Sequence, residues 1–175
     1  MAEWIEPIFD RTLSDVEYVK QKIEQGVEYE HAYFITADSF YLVDAENRKI
    51  VVKAWPEFKG AYNASDMNRV NGNMLFLFNL LHKLGINITL KTASRIWNMH
   101  DVPEPNDFQK YLDDVAIIRS SISQSEETPN VPTMENFNYI KANDIEKILY
   151  DTYMSLRSLE SSTYYSGDIY AGEVI

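Results

Sequence analysis

The chain has 175 residues, a formal net charge of −11 and no cysteine. Disulfides, thiolate chemistry and cysteine-held zinc or iron–sulfur centres are therefore excluded, and the length fits one domain with an appended tail. The 16 lysines and arginines are scattered without a basic run, so neither nucleic acid nor an anionic membrane surface is expected as a partner.

In chain order, MAEWIEPIFD lacks a basic region followed by an apolar run, and no signal peptide is read there. Trp4–Arg11 reads as an extended lead-in containing Pro7. Thr12 then caps a helix over Leu13–Gln25, with Asp15 as its capping-box partner. Leu13, Val16, Val19 and Ile23 follow at helical spacing, and Gly26 is the expected stop. Phe40–Val43 and Lys49–Val52 are β-branched and aromatic on either side of a polar turn, which predicts a hairpin inserted at 38–54. A lone hairpin is marginal in water. It is expected to pack on the helices or gain a third strand, for which the alternating Ile86–Leu90 is the candidate.

A second helix starts from Asn63 or Ser65. Met67, Val70, Met74, Leu77, Phe78, Leu81 and Leu84 form its apolar face, widened by Leu75, Phe76 and Leu80 until the helix is apolar nearly all round, the mark of a central helix. Gly72 inside it costs about 1 kcal/mol relative to alanine and is read as a close approach of another backbone. Gly85 closes the helix. The longest mostly apolar run, Met74–Leu81, is too short to span a bilayer.

Trp97–Pro105 is a rigid connector, because its prolines bar a helix. Asn106 is read as the cap of a third helix with Phe108, Tyr111, Leu112, Val115, Ile118 and Ile122 inward. Ser123–Pro132 is a polar loop and the expected place for disorder or proteolysis. A fourth helix starts near Asn138 and runs to about Leu159, with Ile140, Ile145, Ile148, Leu149, Tyr153, Leu156 and Leu159 apolar. Glu146 with Tyr150, and Asp144 with Lys147, are read as modest surface pairs.

The expected fold is mainly α: a four-helix bundle-like arrangement of two helical hairpins with an inserted small β-hairpin, α+β at the margin. Residues 1–160 form the helical domain, and 161–175 a Gly/Ser/Tyr-rich tail. The 12 tyrosines serve either core-edge packing or interface anchoring. In the tail, Tyr164, Tyr165, Ile169 and Tyr170 are the candidate interface anchors, since an extended segment can add itself to a neighbour's sheet. Two half-chains can also be overlaid, Trp4 on Trp97 and Ala64–Val70 on Ala142–Ile148. Duplication and the general likeness of amphipathic helices both account for that.

No catalytic, cofactor-binding or metal-binding residues are assigned. His31, His82 and His100 show no i,i+4 pairing and no HExxH pattern. Asp113-Asp114 is read as a solvated helix face. Asp44, Glu46 and Asn47 lack the glycine and distal glutamate of an EF-hand loop. An enzyme is not expected.

Three stretches carry a resemblance. Trp4–Val16, WIEPIFDRTLSDV, resembles an opening "W…PI.DRT..DV", and Lys59–Val70, KGAYNASDMNRV, resembles a "KGAYN..DLNRVE" signature. Asp101–Arg119 and Val131–Leu149 resemble "D.P…YL.NV..LR" and "P.M..L.Y..AN.IE..L", and Tyr165–Glu173 resembles a typical ending. Together they resemble small tail- or baseplate-region structural proteins of tailed phages and prophages of Gram-positive bacteria. The Phe40–Val52 hairpin and Asn71, where the signature has Glu, depart from the pattern. The resemblance implies a non-enzymatic virion structural protein, tail- or baseplate-associated, made in the bacterial host cytoplasm. It would act through contacts with other virion proteins and possible homo-oligomers, without cofactors. The alternatives are a cytosolic adaptor or regulatory module, and an enzyme with an unrecognised carboxylate site.

Overall fold

The computed structural model describes the backbone of residues 2–28, 31–36, 39–43, 49–53, 59–60, 62–92, 94–98, 101 and 104–167, and side chains over 2–21 and, within those spans, over 59–162. It is mainly helical: α1(Leu13–Glu28), α2(Ala64–Lys83), α3(Pro105–Ser120) and α4(Tyr139–Gly167). Between α1 and α2 the backbone forms β1(His31–Thr36), β2(Ser39–Val43) and β3(Lys49–Lys53). They pair antiparallel in that order, with His31 opposite Val43 and Val43 opposite Lys49.

α2 is the central helix because both of its ends are written locally. Asn63 accepts the amides of Ser65 and Asp66, and Asp66 returns a bond to the Asn63 amide at 3.0 Å. At the other end Ile86 N–H reaches Leu81 O and Gly85 N–H reaches His82 O, with Gly85 at φ 80°. This is a Schellman stop, which favours glycine at the left-handed position. Between the ends, Val70, Met74, Leu77 and Leu81 are fully buried. They pack with Tyr111, Val115 and Ile118 of α3 and Ile145, Leu149 and Leu156 of α4.

The four helices are consistent with a helical bundle. Among the described side chains, which on α1 are those of 13–21, the buried apolar cluster is drawn from α2, α3 and α4. On α1 Val19 is buried, but Leu13 is 56% exposed and Tyr18 is exposed. The extended lead-in lies against α2 and α4 instead. Trp4 stacks on Tyr153 at 4.1 Å and tilts against Phe76, and Phe9 meets Tyr150.

Several local expectations are corrected. α1 runs through Gly26 to Glu28, since one helical glycine weakens a helix without ending it. Gly72 has open space around it. The close approach falls at Gly60, where a Cβ would run into the Asp15 carbonyl and the Val16 amide. Ile86–Leu90 forms no strand; its alternation lays Ile86, Ile88 and Leu90 on the core. α3 starts at Pro105 with Glu104 as cap and no side-chain capping bond, because proline suits the first helical position and pre-empts Asn106.

Ser123–Pro132 is pinned, not loose. Arg119 donates to the carbonyls of Thr128 and Pro129, Thr128 donates to Asp151, and Gln124 bridges Arg119 and Thr152. α4 begins after Asn138, which caps it, and continues past Leu159 to Gly167. Ser161 and Ser162 bond back to carbonyls of the preceding turn. No helix among the described residues is long and apolar enough to cross a membrane.

Candidate functional site

The densest polar assembly sits where the lead-in crosses α2 and α4. Arg11 Nη2 lies 2.8 Å from Asp66 Oδ1 and 2.7 Å from Glu146 Oε1. Arg69 Nη2 lies 2.5 Å from the same Asp66 oxygen and 2.6 Å from the same Glu146 oxygen. Arg69 Nε donates to Glu146 Oε2 at 2.9 Å, and Ile8 N–H donates to that oxygen at 2.7 Å. Asp66 Oδ2 takes the Asn63 amide. Two cations thus face two anions with almost no exposure, and every carboxylate oxygen of the four is occupied. Buried charges persist only when paired and hydrogen-bonded in this way.

Burial works against the charge of Arg69, but the hydrogen bond and field of Glu146 outweigh it and push the group above the ordinary arginine range. Beside the cluster the Tyr62 and Tyr111 hydroxyls bond to each other. Both are pushed well above the usual tyrosine value. Desolvation is the main cause, followed by Glu146 for Tyr62 and by Tyr62 itself for Tyr111. The Arg11 guanidinium lies 5.6 Å from the Tyr62 ring centre.

Around this centre a second device recurs. Asparagine side chains grip extended backbone at two points, imitating a strand partner. Asn73 accepts from Ile5 N–H at 2.9 Å and donates to Ile5 O at 2.7 Å. Asn143 does the same to Arg11, and Asn68 to Trp97. Asn71, at the position where the resembling signature has Glu, holds Arg95 O at 2.8 Å. The helices therefore hold both connecting segments through main-chain atoms.

Asp114 is a correction. It is fully buried, not on a solvated face, and accepts from Lys91 N, Thr92 N and Thr92 Oγ1 at 2.8, 2.6 and 2.7 Å. Asp113 beside it does reach outward, to Gln109 and Lys91, and those bonds hold its carboxyl below the usual range. Glu146 is likewise no surface residue but the hub of the cluster.

Of the residues singled out from the sequence, His82 is exposed, packed on Phe78 at 4.1 Å, with Nδ1 3.0 Å from the Phe78 carbonyl. His100, Asp44, Glu46 and Asn47 lie outside the described residues, as do the side chain of His31, the side chains of Tyr164 and Tyr165, and the whole of Ile169 and Tyr170. Among the described residues no group of three or more His, Asp or Glu is placed to hold a metal ion. Arg11, Asp66, Arg69 and Glu146 were not picked out as a set. Their signal was a charged residue in phase with an apolar face: Asp66 and Arg69 run with Met67 and Val70, and Glu146 with Ile145 and Leu149. Comparison with family models, with curated proteins and with solved structures finds no match.

Asp144, one residue from the clamp at Asn143, supplies a pH test. Burial pushes its carboxyl above the ordinary value of 3.8. A raised folded pKa means that the native state favours the protonated form. That contribution is complete below pH 3.8 and lost as pH rises through the folded pKa. Asp144→Asn is therefore expected to raise the melting temperature at pH 7 by roughly 1–2 °C. In thermal melts across pH 4–7 the gain should shrink toward the acid end.

Proposed function

We propose that the chain is a non-enzymatic structural protein of a tailed-phage or prophage virion, associated with the tail or baseplate and working through protein contacts. One observation carries this reading. The residues through which the sequence resembles that family are the ones that meet in the buried cluster: Ile8 and Arg11 from the opening, Asn63, Asp66 and Arg69 from the "YN..D..R" signature, and Asn143 and Glu146 from "AN.IE". Groups whose oxygens are all taken, away from solvent, hold an architecture together. They offer a substrate no base and no open coordination site.

In this reading the 38–54 hairpin is an insert on the helical body. Tyr164, Tyr165, Ile169 and Tyr170 anchor the last segment on a neighbouring subunit, which is either another copy or another tail protein.

The test is mass spectrometry of gradient-purified particles from a host carrying the gene. The chain is expected to co-purify with tail proteins at a fixed ratio. Recovery only from the soluble cell fraction would overturn the reading. A chain ending at Ser161 is expected to remain folded and to be lost from particles; its normal incorporation would remove the four anchors from the proposal.

A further inference from the structure

Among the described residues five buried side-chain atoms lack a hydrogen-bond partner, and two of them sit on the extended lead-in. They are Trp4 Nε1 and Arg11 Nε, on the side chains that anchor the two ends of that segment. Trp4 is stacked on Tyr153, and Arg11 shares Asp66 and Glu146 with Arg69. Docking therefore seals off two donors that water would satisfy, a standing cost of the closed position.

The helices keep their own pairing without the segment. Among the described side chains the buried apolar cluster is built from α2, α3 and α4, and Trp4 only packs against it. Arg69 grips Glu146 at two points, Nε on Oε2 at 2.9 Å and Nη2 on Oε1 at 2.6 Å, and also reaches Asp66. Withdrawing Arg11 thus leaves the remaining arginine and both carboxylates in contact. The layer beneath is one that water can cover. Asn73, Glu146 and Asn143 hold Ile5, Ile8 and Arg11 by their main-chain N–H groups. Among the described residues no main-chain hydrogen bond ties 2–11 to a helix, and Glu3, Ile5, Glu6 and Asp10 are exposed.

We propose that residues 4–11 are a releasable strap, which leaves the α2–α4 groove as one unit and docks again while α2, α3 and α4 stay folded. It moves as a unit because its holds are linked. Ile8 and Arg11 share Glu146. Pro7 is buried, has no N–H to satisfy, and stiffens the link to the Trp4–Ile5 end. Release hydrates both orphan donors and uncovers Phe76, Tyr150 and Tyr153, against which Trp4 and Phe9 lie. Whatever binds the freed segment or the uncovered helices more tightly than they hold each other shifts this equilibrium, so the strap is a switch built into the fold. The inference stands apart from the virion reading.

The test is native-state hydrogen exchange, followed by NMR on the full-length 15N-labelled chain. The amides of Ile5, Ile8 and Arg11 are expected to share one protection factor, about a hundred-fold or more below those of Val70, Leu77 and Leu149. Ile148→Val, in the buried core, should lower protection of the helix amides about five-fold and leave the three strap amides unchanged. Asn143→Ala removes the hold on Arg11 alone, yet should speed exchange at Ile5 and Ile8 about ten-fold. Replacing Trp4 by β-(3-benzothienyl)alanine, an indole isostere with no N–H, should slow exchange of all three strap amides about ten-fold. The proposal is overturned if the strap amides follow the helices in Ile148→Val, if Asn143→Ala speeds Arg11 alone, or if the isostere fails to slow them.

Discussion

Glu146→Gln is expected to lower the unfolding free energy by about 3–5 kcal/mol, seen as a lower urea midpoint with an unchanged m-value. The side chain keeps its size, so no cavity explains the loss. The charge count of the cluster changes instead. Arg11 and Arg69 both place Nη2 within 2.7 Å of Glu146 Oε1, and Ile8 N–H and Arg69 Nε both use Oε2. An amide can present only one oxygen. Its NH2 must face either the two guanidiniums or the Ile8 amide and Arg69 Nε, so donors meet a donor whichever way it turns. Asp66 alone is then left to balance two buried cations. Set against a typical stability of about 5–15 kcal/mol, the variant sits near the threshold and melts roughly 10 °C lower.

A second variant separates pairing from burial. In Arg11→Met combined with Glu146→Met, one cation and one anion leave together and Asp66 still faces Arg69. The double change is expected to cost less than the sum of its two single changes. Strict additivity would mean that the four side chains act independently, and would remove the cluster as an organising unit.

The parts of the fold legible in the sequence are those whose causes lie within one helical turn. The Asn63 cap, the Gly85 stop and the Met67–Leu84 face are all local, and the sequence reading of α2 needed nothing else. The Thr12–Asp15 capping box is equally local, with bonds of 2.7 and 3.3 Å closing it. What escaped depends on partners far along the chain. Ile5 meets Asn73, Ile8 meets Glu146 and Arg11 meets Asn143. Near Glu146 in sequence, only its phase with Ile145 and Leu149 separates a hub from a surface acid; the partners themselves lie far away.

The same holds for the glycines. Gly72 looked like the crowded one because it lies in the central helix, whereas the crowding at Gly60 comes from Asp15 on another segment. Ser123–Pro132 looked loose because its composition is polar. Its order comes from Arg119 and Asp151 on the flanking helices, and composition carries no trace of that. For the cluster, periodicity alone held a usable signal. Three polar residues, Asp66, Arg69 and Asn73, fall in phase with the apolar stripe of α2, and a polar residue in the core phase is the one to follow to its partner.

Asp114 shows how far that rule extends, and yields the second large effect. Asp114→Ala is expected to destabilise the chain by about 3–5 kcal/mol. The carboxylate is the single acceptor for three donors, Lys91 N, Thr92 N and Thr92 Oγ1. Alanine strands all of them, two at a residue that is itself buried. The loss should be local before it is global. The segment 86–92 carries Ile86, Ile88 and Leu90 onto the core without a strand partner, so Asp114 is what fastens its far end.

Hydrogen exchange in Asp114→Ala should therefore show Lys91 and Thr92 amides losing protection first, ahead of α2 and α4. Asp114→Asn is expected to fall between wild type and alanine, because its one oxygen can serve Thr92 but leaves Lys91 N–H facing an NH2 group. Equal stability of the alanine variant and wild type, or uniform loss of protection across all three core helices, would mean that the loop is held by its apolar side chains alone. The buried carboxylate would then have no part in fixing the connector that leads to Arg95 and Trp97.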